Sequence, residues 1–163
     1  MMKNPFTPTF AIGLGVVVIA VVGILIMQRG AHIGLEGSVL KVRTAPLDEN
    51  STIAVVDFRF TNSGNVPFWV RTVSLEMEEK DGRQYDGMVI SEIDARRLFE
   101  AMPLLGTKYN DTLVLRDKIP GHTSGDRMIA ARFEAPEARI NARKRFIVRI
   151  EEVDGAISEI SEK

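Results

Sequence analysis

The sequence predicts a mainly β protein in which a single N-terminal transmembrane helix precedes a seven-stranded antiparallel sandwich with one short inserted helix. Three observations carry this prediction. Phe10–Met27 is an apolar run without a charged residue, short segments of alternating apolar and polar residues follow from Leu35, and turn-forming residues separate those segments. Because the strand patterns do not alternate with helical ones, a pair of antiparallel sheets is favoured over a parallel sheet.

The apolar run is about long enough to cross a membrane. At roughly 1.5 Å per helical residue it approaches a hydrocarbon thickness of about 30 Å, and a lone segment in lipid must satisfy its backbone hydrogen bonds as a helix. A cleavable signal peptide is the alternative. Its apolar core would span about 7–15 residues with small residues before the cut, whereas Gln28 and Arg29 follow this run. An uncleaved signal-anchor is therefore favoured.

The position of that run sets the domain organisation. We expect an N-terminal tail at 1–9, a transmembrane anchor at 10–27, a tether at 28–34, a sandwich at 35–155 and a flexible tail at 156–163. At roughly 3.5 Å per residue the tether reaches at most about 25 Å, which keeps the sandwich near the membrane surface. Ala11 and Gly15 form a small-xxx-small pair that could pack against a second membrane helix.

Two arguments bear on the side of the membrane that the sandwich faces. Arg29, Lys41 and Arg43 follow the apolar run, and the positive-inside rule then favours a cytoplasmic domain. Folded domains beyond about 60 residues, however, translocate largely regardless of charge. We expect a single-pass protein with an extracytoplasmic, periplasmic domain, and a cytoplasmic domain is the alternative.

A period of two predicts the strands in the first half of the sandwich. They are expected at Ser38–Arg43, Ile53–Thr61, Val66–Lys80 and Arg83–Ile90. The inward residues should be Leu40 and Val42 on the first strand, and Ala54, Val56, Phe58 and Phe60 on the second. A bulge near Arg71–Thr72 would reconcile the two side-chain parities of the third strand. Asp81-Gly82 predicts a hairpin turn after it.

A helical pattern interrupts the strands at Ser91–Met102. Ser91 is a suitable N-cap, apolar residues recur at helical spacing, and Pro103 ends the pattern. Three further strands are predicted at Asp111–Arg116, Arg127–Glu134 and Arg145–Glu151. Their inward residues should be Leu113 and Leu115 on the first, Ile129, Ala131 and Phe133 on the second, and Phe146, Val148 and Ile150 on the third.

Two turns give the sandwich a family resemblance. The run from Val55 to Asn65 ends a strand in Thr-Asn and a small polar turn, and Ile119-Pro120-Gly121 precedes a later strand. In these features the region Leu35–Gly155 resembles membrane-anchored bacterial immunoglobulin-like β-sandwich domains of unknown function, akin to late-embryogenesis-abundant-like and water-stress domains. The resemblance implies an immunoglobulin-like fold and no catalytic residue. Asp126 and Arg127 stand where such domains usually have a small residue and an aromatic one.

Composition argues against several classes of function. The net charge of −1 does not match the basic surface of a nucleic-acid-binding protein, and the absence of cysteine removes disulfides, thiol nucleophiles and thiolate metal sites. Two histidines are too few for a convincing histidine metal site. We therefore expect no cofactor and no metal.

Three polar groups could carry chemistry, and each also has a simpler interpretation. An acidic cluster could bind calcium, but its alternation with apolar residues indicates the solvated face of a strand. His122, Ser124 and Asp126 could suggest a hydrolase, but no nucleophile elbow surrounds the serine. The basic residues before the last strand could contact lipid, or they could simply solvate a loop. The acidic cluster comprises Glu76, Glu78, Glu79, Asp81 and Asp86, and the basic residues are Arg139, Arg143, Lys144 and Arg145.

The remaining candidate is an interaction surface. Trp69 should face outward because its neighbours Phe68 and Val70 point into the core, although the inserted helix could cover it. The candidate surface comprises Trp69, Arg96, Arg97 and Phe99. We expect a non-enzymatic, membrane-tethered module that binds another membrane or membrane-associated protein, as an accessory or assembly subunit of a membrane complex. A small-ligand or lipid-binding sandwich with a pocket under the helix is the alternative.

Overall fold

The computed structural model describes residues 6–28 and 34–163, and in the N-terminal helix it describes the side chains of 12–24. The chain divides into two compact units, Met1–His32 and Ile33–Lys163. Most of the predicted tether, 28–34, and the first five residues of the predicted tail, 1–9, lie outside the described residues.

Helix α1 spans Phe6–Gln28 and is the only described element of the first unit. It begins four residues before the predicted start of the anchor at Phe10, and the tail at 1–9 stays a prediction. Among the residues whose side chains the structure describes, no helix is both long enough and apolar enough to cross a membrane. The predicted anchor at 10–27 extends beyond these side chains at both ends, and it stays a prediction.

The second unit is mainly β, and all of its described strand pairs are antiparallel. The strands are β1 (Leu35–Asp48), β2 (Ser51–Asn62), β3 (Phe68–Glu78), β4 (Gln84–Asp86), β5 (Met88–Val89), β6 (Lys118–Ile119), β7 (Thr123–Phe133), β8 (Arg145–Glu152) and β9 (Ile157–Ser161). Helix α2 spans Glu92–Ala101, a 3-10 turn spans Pro103–Leu105, and helix α3 spans Glu137–Asn141.

These strands form two sheets. The first sheet has the order β1-β2-β7-β5, and the second has the order β4-β3-β8-β9 with β6 paired to β3. Residues from both sheets share one buried core, whose aromatic rings are those of Phe58, Phe60, Phe68, Phe133 and Phe146. The described residues thus form a β-sandwich, as predicted, but with nine strands rather than seven.

The alternating patterns located the central strands correctly. All the predicted inward residues of β2, β7 and β8 lie in the shared core, and the predicted bulge appears in β3 between Val70 and Thr72. In β1 a register shift between Val39 and Lys41 changes which side chains point inward. Val39 therefore packs against the core, and Leu40 is exposed, contrary to prediction.

Two other predictions about strands are wrong. The segment Asp111–Arg116 makes only an isolated bridge from Thr112 to Met128, with Leu113 buried and Leu115 exposed. The flexible tail predicted at 156–163 contains β9, which pairs with β8 and buries Ile160 in the core. Gly37 of β1 lies beside Ile160: a Cβ atom at Gly37 would lie 2.7 Å from Ile160 Cδ1 and closer still to the Arg59 carbonyl oxygen.

The strand predicted at Arg83–Ile90 divides between the two sheets. Residues 84–86 pair with β3 as β4, whereas 88–89 pair with β7 as β5. Gly87 lies at the crossing, where a Cβ atom would be 2.7 Å from the Phe133 Cζ atom. The chain can pass this closely to the first sheet only because residue 87 lacks a side chain.

Helix α2 and the residues after it cover the outer face of the first sheet. Ser91 is the N-cap, as predicted, with its hydroxyl accepting a hydrogen bond from the Asp94 backbone N–H. The helix ends at Ala101, one residue before the predicted end at Met102. Ala95 and Leu105 are fully buried against the outward side chains of β1, β2 and β7. β2 is consequently buried on both faces over Ser51–Phe58.

The chain enters β1 at Leu35, at one end of the sandwich that we call the Leu35 end. It contains the start of β1, the end of β2, the start of β3, the end of β8 and the start of β9. The backbone N–H of Leu35 donates to Ser158 Oγ at 2.8 Å, and His122 N–H donates to Gly64 O at 3.2 Å. These contacts bring both sheets together at this end.

Candidate functional site

Trp69 lies on the outer face of the second sheet, as its alternation with Phe68 and Val70 predicted. The side chain is 42% exposed, and the Lys118 ammonium lies 5.1 Å from the ring centroid. The backbone of Trp69 pairs with Lys118 of β6 and accepts a hydrogen bond from the Val153 N–H at 3.1 Å. Helix α2 does not cover this ring, because it packs against the first sheet.

Arg96, Arg97 and Phe99 lie on α2, on the opposite side of the sandwich from Trp69. Both guanidinium groups are exposed and make ion pairs within the helix, to Glu92 and Asp94 respectively. Phe99 is partly buried, with the Arg43 guanidinium 4.9 Å from its ring centroid. The four predicted residues therefore occupy two separate surfaces, one on each side of the sandwich.

The predicted membrane-packing pair lies on α1. A Cβ atom at Gly15 would meet nothing within 4 Å, so this side of the helix is open. The side chain of Ala11 lies outside the described residues. The packing of a second helix against this pair stays a prediction.

A buried ion pair beneath the segment that follows α2 escaped the sequence analysis. The Arg43 guanidinium donates to Asp57 Oδ2 at 2.6 Å, with side-chain exposures of 8% and 3%. The same guanidinium donates to the carbonyl oxygens of Leu105 and Thr107 at 2.8 and 2.7 Å. Asp57 Oδ1 accepts from Asn110 Nδ2 at 2.8 Å. The pair thus attaches the 103–110 segment to the first sheet.

This cluster holds one orphan donor and two aromatic neighbours. Arg43 Nε is buried without a hydrogen-bond partner. The guanidinium also lies 5.4 Å from the ring centroid of Tyr109, and Lys41 Nζ lies 5.3 Å from the same centroid. Arg43 pairs with Val55 and so lies diagonally across from Asp57, but this register includes a shift between Pro46 and Asp48 that the turn residues alone do not encode.

The acidic cluster lies on and beside the second sheet, where basic side chains neutralise most of its members. Glu76 pairs with Arg149 at 2.9 Å, and Glu78 pairs with Lys144 and Arg145 at 2.6 and 2.5 Å. The other pairs are Glu79–Arg139 and Asp81–Arg83. Among the described residues no group of three or more His, Cys, Asp or Glu side chains could hold a metal ion.

The two neighbouring carboxyl groups on β3 have opposite pKa shifts. Burial raises the pKa of Glu76 above its ordinary value of 4.5, with further rises from Asp86 and Glu159 and a partial opposition from Arg149. Hydrogen bonds from Lys144 and Arg145 lower the pKa of Glu78. Both side chains are nearly buried, so the arginines and the lysine form a cover over these carboxylates rather than a solvated acidic face.

The three residues considered for a hydrolase have separate partners. His122 Nε2 is hydrogen-bonded to Asn65 Oδ1 at 2.6 Å, and Ser124 Oγ to Thr61 Oγ1 at 2.8 Å. Asp126 accepts two hydrogen bonds from the Arg59 guanidinium at 2.7 and 2.9 Å. The structure does not assemble these side chains into a triad.

An apolar groove lies beside the N-terminus of α2. It encloses about 470 Å³ between β3, β5 and the 112–115 segment. Val73, Val89, Leu113 and Leu115 contribute apolar lining, and Thr112 Oγ1 is buried beside them without a hydrogen-bond partner. This position is near the pocket that the sequence analysis considered under the helix.

Comparisons with known protein families, with curated proteins and with solved structures found no match to this chain.

Proposed function

We propose that this protein is a single-pass, non-enzymatic membrane-tethered module whose sandwich binds another membrane or membrane-associated protein. In this proposal Phe10–Met27 crosses the membrane as a signal-anchor and the sandwich lies outside the cytoplasm. The module then serves as an accessory or assembly subunit of a membrane complex.

The exposed apolar surface of α1 is the observation that carries the proposal. The described side chains between Ile12 and Ile24 are almost all apolar, and nearly all are exposed around the helix. An apolar surface this continuous requires lipid or a protein partner to cover it. Lipid is favoured because the apolar residues surround the helix instead of forming one stripe.

The immunoglobulin-like character of the sandwich is part of the same proposal. The order β1-β2-β7-β5 corresponds to strands A-B-E-D of an immunoglobulin domain, and β3-β8-β9 corresponds to C-F-G with β4 as an added edge strand. Domains of this architecture commonly bind other proteins, but the fold alone does not define a function. The exposed side chains of the module must supply the specificity.

We propose that a protein partner binds the outer surface of α2 and of the 103–110 segment, which together cover the first sheet. Ile93, Leu104 and Tyr109 expose large apolar side chains there, with Leu104 at 78%, beside the charged pairs of Arg96 and Arg97. Apolar side chains surrounded by arginines are typical of protein interfaces. The buried Arg43 holds this segment in place, so its surface is preorganised for binding.

The test compares co-purification of wild-type and variant full-length chains in mild detergent after cross-linking. A partner captured by the wild type should be lost from Ile93→Asp/Leu104→Asp and retained by Met88→Asp, a matched change at another exposed apolar position. A partner that binds all three chains equally would contradict the proposed surface. A chain that captures no partner at native levels would contradict the proposed function.

The apolar groove supports a second candidate function, the binding of a small ligand or lipid. Its lining is mostly apolar, and the Thr112 hydroxyl offers a buried hydrogen-bonding group without a partner. Native mass spectrometry of the full-length chain should then detect a bound molecule of defined mass. Val89→Trp, which fills the groove, should abolish that added mass, whereas Met88→Trp should retain it.

A further inference from the structure

The outer face of the second sheet changes character towards the Leu35 end. Over most of this face charged side chains pair with one another, as in Glu76–Arg149 and Arg71–Glu151. At the Leu35 end three apolar side chains are exposed instead. They are Trp69, Val153 and Ile157, with exposures of 42 to 58%.

The backbone pairing places these three residues near one another at this end. Val153 N–H donates to the carbonyl oxygen of Trp69, which makes the two residues direct neighbours. Ile157 pairs with Glu151, whose carboxylate faces outward to Arg71, and so Ile157 points to the same side. Val66 adds a fourth exposed apolar side chain in the loop at the same end.

The chemistry of this surface suits the boundary between lipid and water. The Trp69 ring is half exposed, and the Lys118 ammonium lies over it at 5.1 Å. Tryptophan and lysine both combine an apolar body with a polar end, and both favour the membrane–water interface for that reason. Arg116 is a second exposed cation two residues before Lys118.

The chain enters the sandwich at the Leu35 end. Leu35 begins β1 at this end, and its N–H is bonded to Ser158, the residue after Ile157. Gln28–Gly34 can span at most about 25 Å at roughly 3.5 Å per residue. If Phe10–Met27 crosses the bilayer, the Leu35 end is therefore the part of the sandwich nearest to lipid.

We propose that Trp69, Val153 and Ile157, with Val66, rest in the interfacial zone of the phospholipid bilayer that holds the anchor. This inference rests on the proposed membrane anchor and adds a second contact between protein and lipid. The contact fixes the tilt of the sandwich, and it leaves the segment with Ile93, Leu104 and Tyr109 accessible to a protein partner.

The test uses Trp69 as its own reporter, because the chain contains one tryptophan. Full-length protein is reconstituted into phosphatidylcholine vesicles, and flotation first establishes whether the chain is membrane-bound. Trp69 emission is then measured in vesicles whose lipids carry bromine near the headgroup. We expect Trp69 to lose about half of its emission to shallow bromine and to be shielded from aqueous acrylamide, as an interfacial ring would be.

A matched reporter lies at the other end of the sandwich. Met88 is exposed and pairs with Arg132, about 30 Å along β7 from the Leu35 end at roughly 3.3 Å per residue. In Trp69→Phe/Met88→Trp the emission should respond to acrylamide and not to brominated lipid. Val153→Asp/Ile157→Asp should still float, while Trp69 becomes as accessible to acrylamide as the Met88→Trp reporter.

The outcomes separate this inference from the proposed function. A chain that fails to float contradicts the anchor, and the interfacial contact fails with it. If the chain floats but Trp69 is quenched by acrylamide and not by bromine, the proposed anchor is retained and the interfacial contact is wrong. This surface would then be available to a protein partner. If brominated lipid still quenches Trp69 emission in Val153→Asp/Ile157→Asp, the assigned lipid-facing surface is also wrong.

Discussion

At the scale of single residues, the buried Arg43–Asp57 pair links the first sheet to the 103–110 segment. Both side chains are buried, and the guanidinium also holds the carbonyl oxygens of Leu105 and Thr107. Removing the cation would leave a buried carboxylate without its partner and two carbonyl groups without their donor. Removing both charged side chains together would leave fewer buried groups without a partner than removing one of them.

Replacement of Arg43 by methionine should therefore lower the free energy of unfolding by about 3–5 kcal/mol. The double variant Arg43→Met/Asp57→Leu should recover much of that loss. Urea denaturation of the full-length protein in micelles, followed by Trp69 emission, measures both. The exposed Arg59–Asp126 pair supplies the control, since Arg59→Met should change the stability little. Equal losses in the single and double variants would contradict a buried-charge role.

Glu76 and Glu78 should give opposite dependences of stability on pH. The lowered pKa of Glu78 in the folded state contributes stability that is present above the ordinary value of 4.5 and is lost as pH falls through the folded pKa. The raised pKa of Glu76 contributes stability that is present below 4.5 and is lost as pH rises through the folded pKa.

Denaturation midpoints of wild type, Glu76→Gln and Glu78→Gln between pH 3 and 7 test these signs. The advantage of the wild type over Glu78→Gln should shrink as pH falls. The stability of the wild type relative to Glu76→Gln should instead increase as pH falls. Parallel profiles for the two variants would show that the two carboxyl groups do not differ in this way.

At the scale of elements, the crossing between β4 and β5 is a tightly constrained connection. A Cβ atom at Gly87 would meet Phe133 Cζ at 2.7 Å and Ala131 Cβ at 2.8 Å. Both contacts are with core residues of β7, and so neither neighbour can move away at low cost. The same close approach allows one continuous segment to supply an edge strand to each sheet.

Gly87→Ala should accordingly lower the free energy of unfolding by about 1–3 kcal/mol through overpacking. Combining it with Phe133→Leu should give less than the sum of the two single losses, because the smaller side chain removes one clash. Gly34→Ala is the control, since a Cβ atom there would have its nearest neighbour at 3.8 Å. Strict additivity would indicate that Phe133 is not the obstacle.

The alternating sequence pattern was sufficient to predict some strands and not others. Alternation located β2, β7 and β8 and their inward residues because one face of each strand fills the core shared by the two sheets. It failed at Asp111–Arg116, where an alternating pattern belongs to a loop that contributes Leu113 to the core and exposes Leu115. It also missed β9, since the strand is short and only two of its residues are buried.

The candidate surfaces were harder to predict than the strands. The outward position of Trp69 followed from the parity of its neighbours, but its separation from Arg96, Arg97 and Phe99 depends on which sheet α2 covers. That choice is made by long-range packing of Ala95 and Leu105 against β1, β2 and β7, which no local pattern encodes. The same reason accounts for the burial of Asp57, which Arg43 and Asn110 contact beneath the 103–110 segment.

At the scale of the whole molecule, the side of the membrane is the property that the proposed function most needs. The chain contains no cysteine, so one introduced thiol can report on it. Asn50 lies in the exposed turn between β1 and β2. In Asn50→Cys a membrane-impermeant maleimide should label intact cells, because we propose an extracytoplasmic sandwich. Labelling that appears only after lysis would place the sandwich in the cytoplasm.

The burial of β2 on both faces has a consequence for aggregation. Ser51–Phe58 is rich in β-branched and aromatic residues, and such a segment can stack with copies of itself when it is exposed. Asp57 and Arg59 are the nearest charges that would oppose stacking. Because Arg43 holds the 103–110 segment on the first sheet, it also keeps Ser51–Phe58 covered and inaccessible to other chains. Loss of that arginine should therefore promote amyloid-like association of partly folded chains.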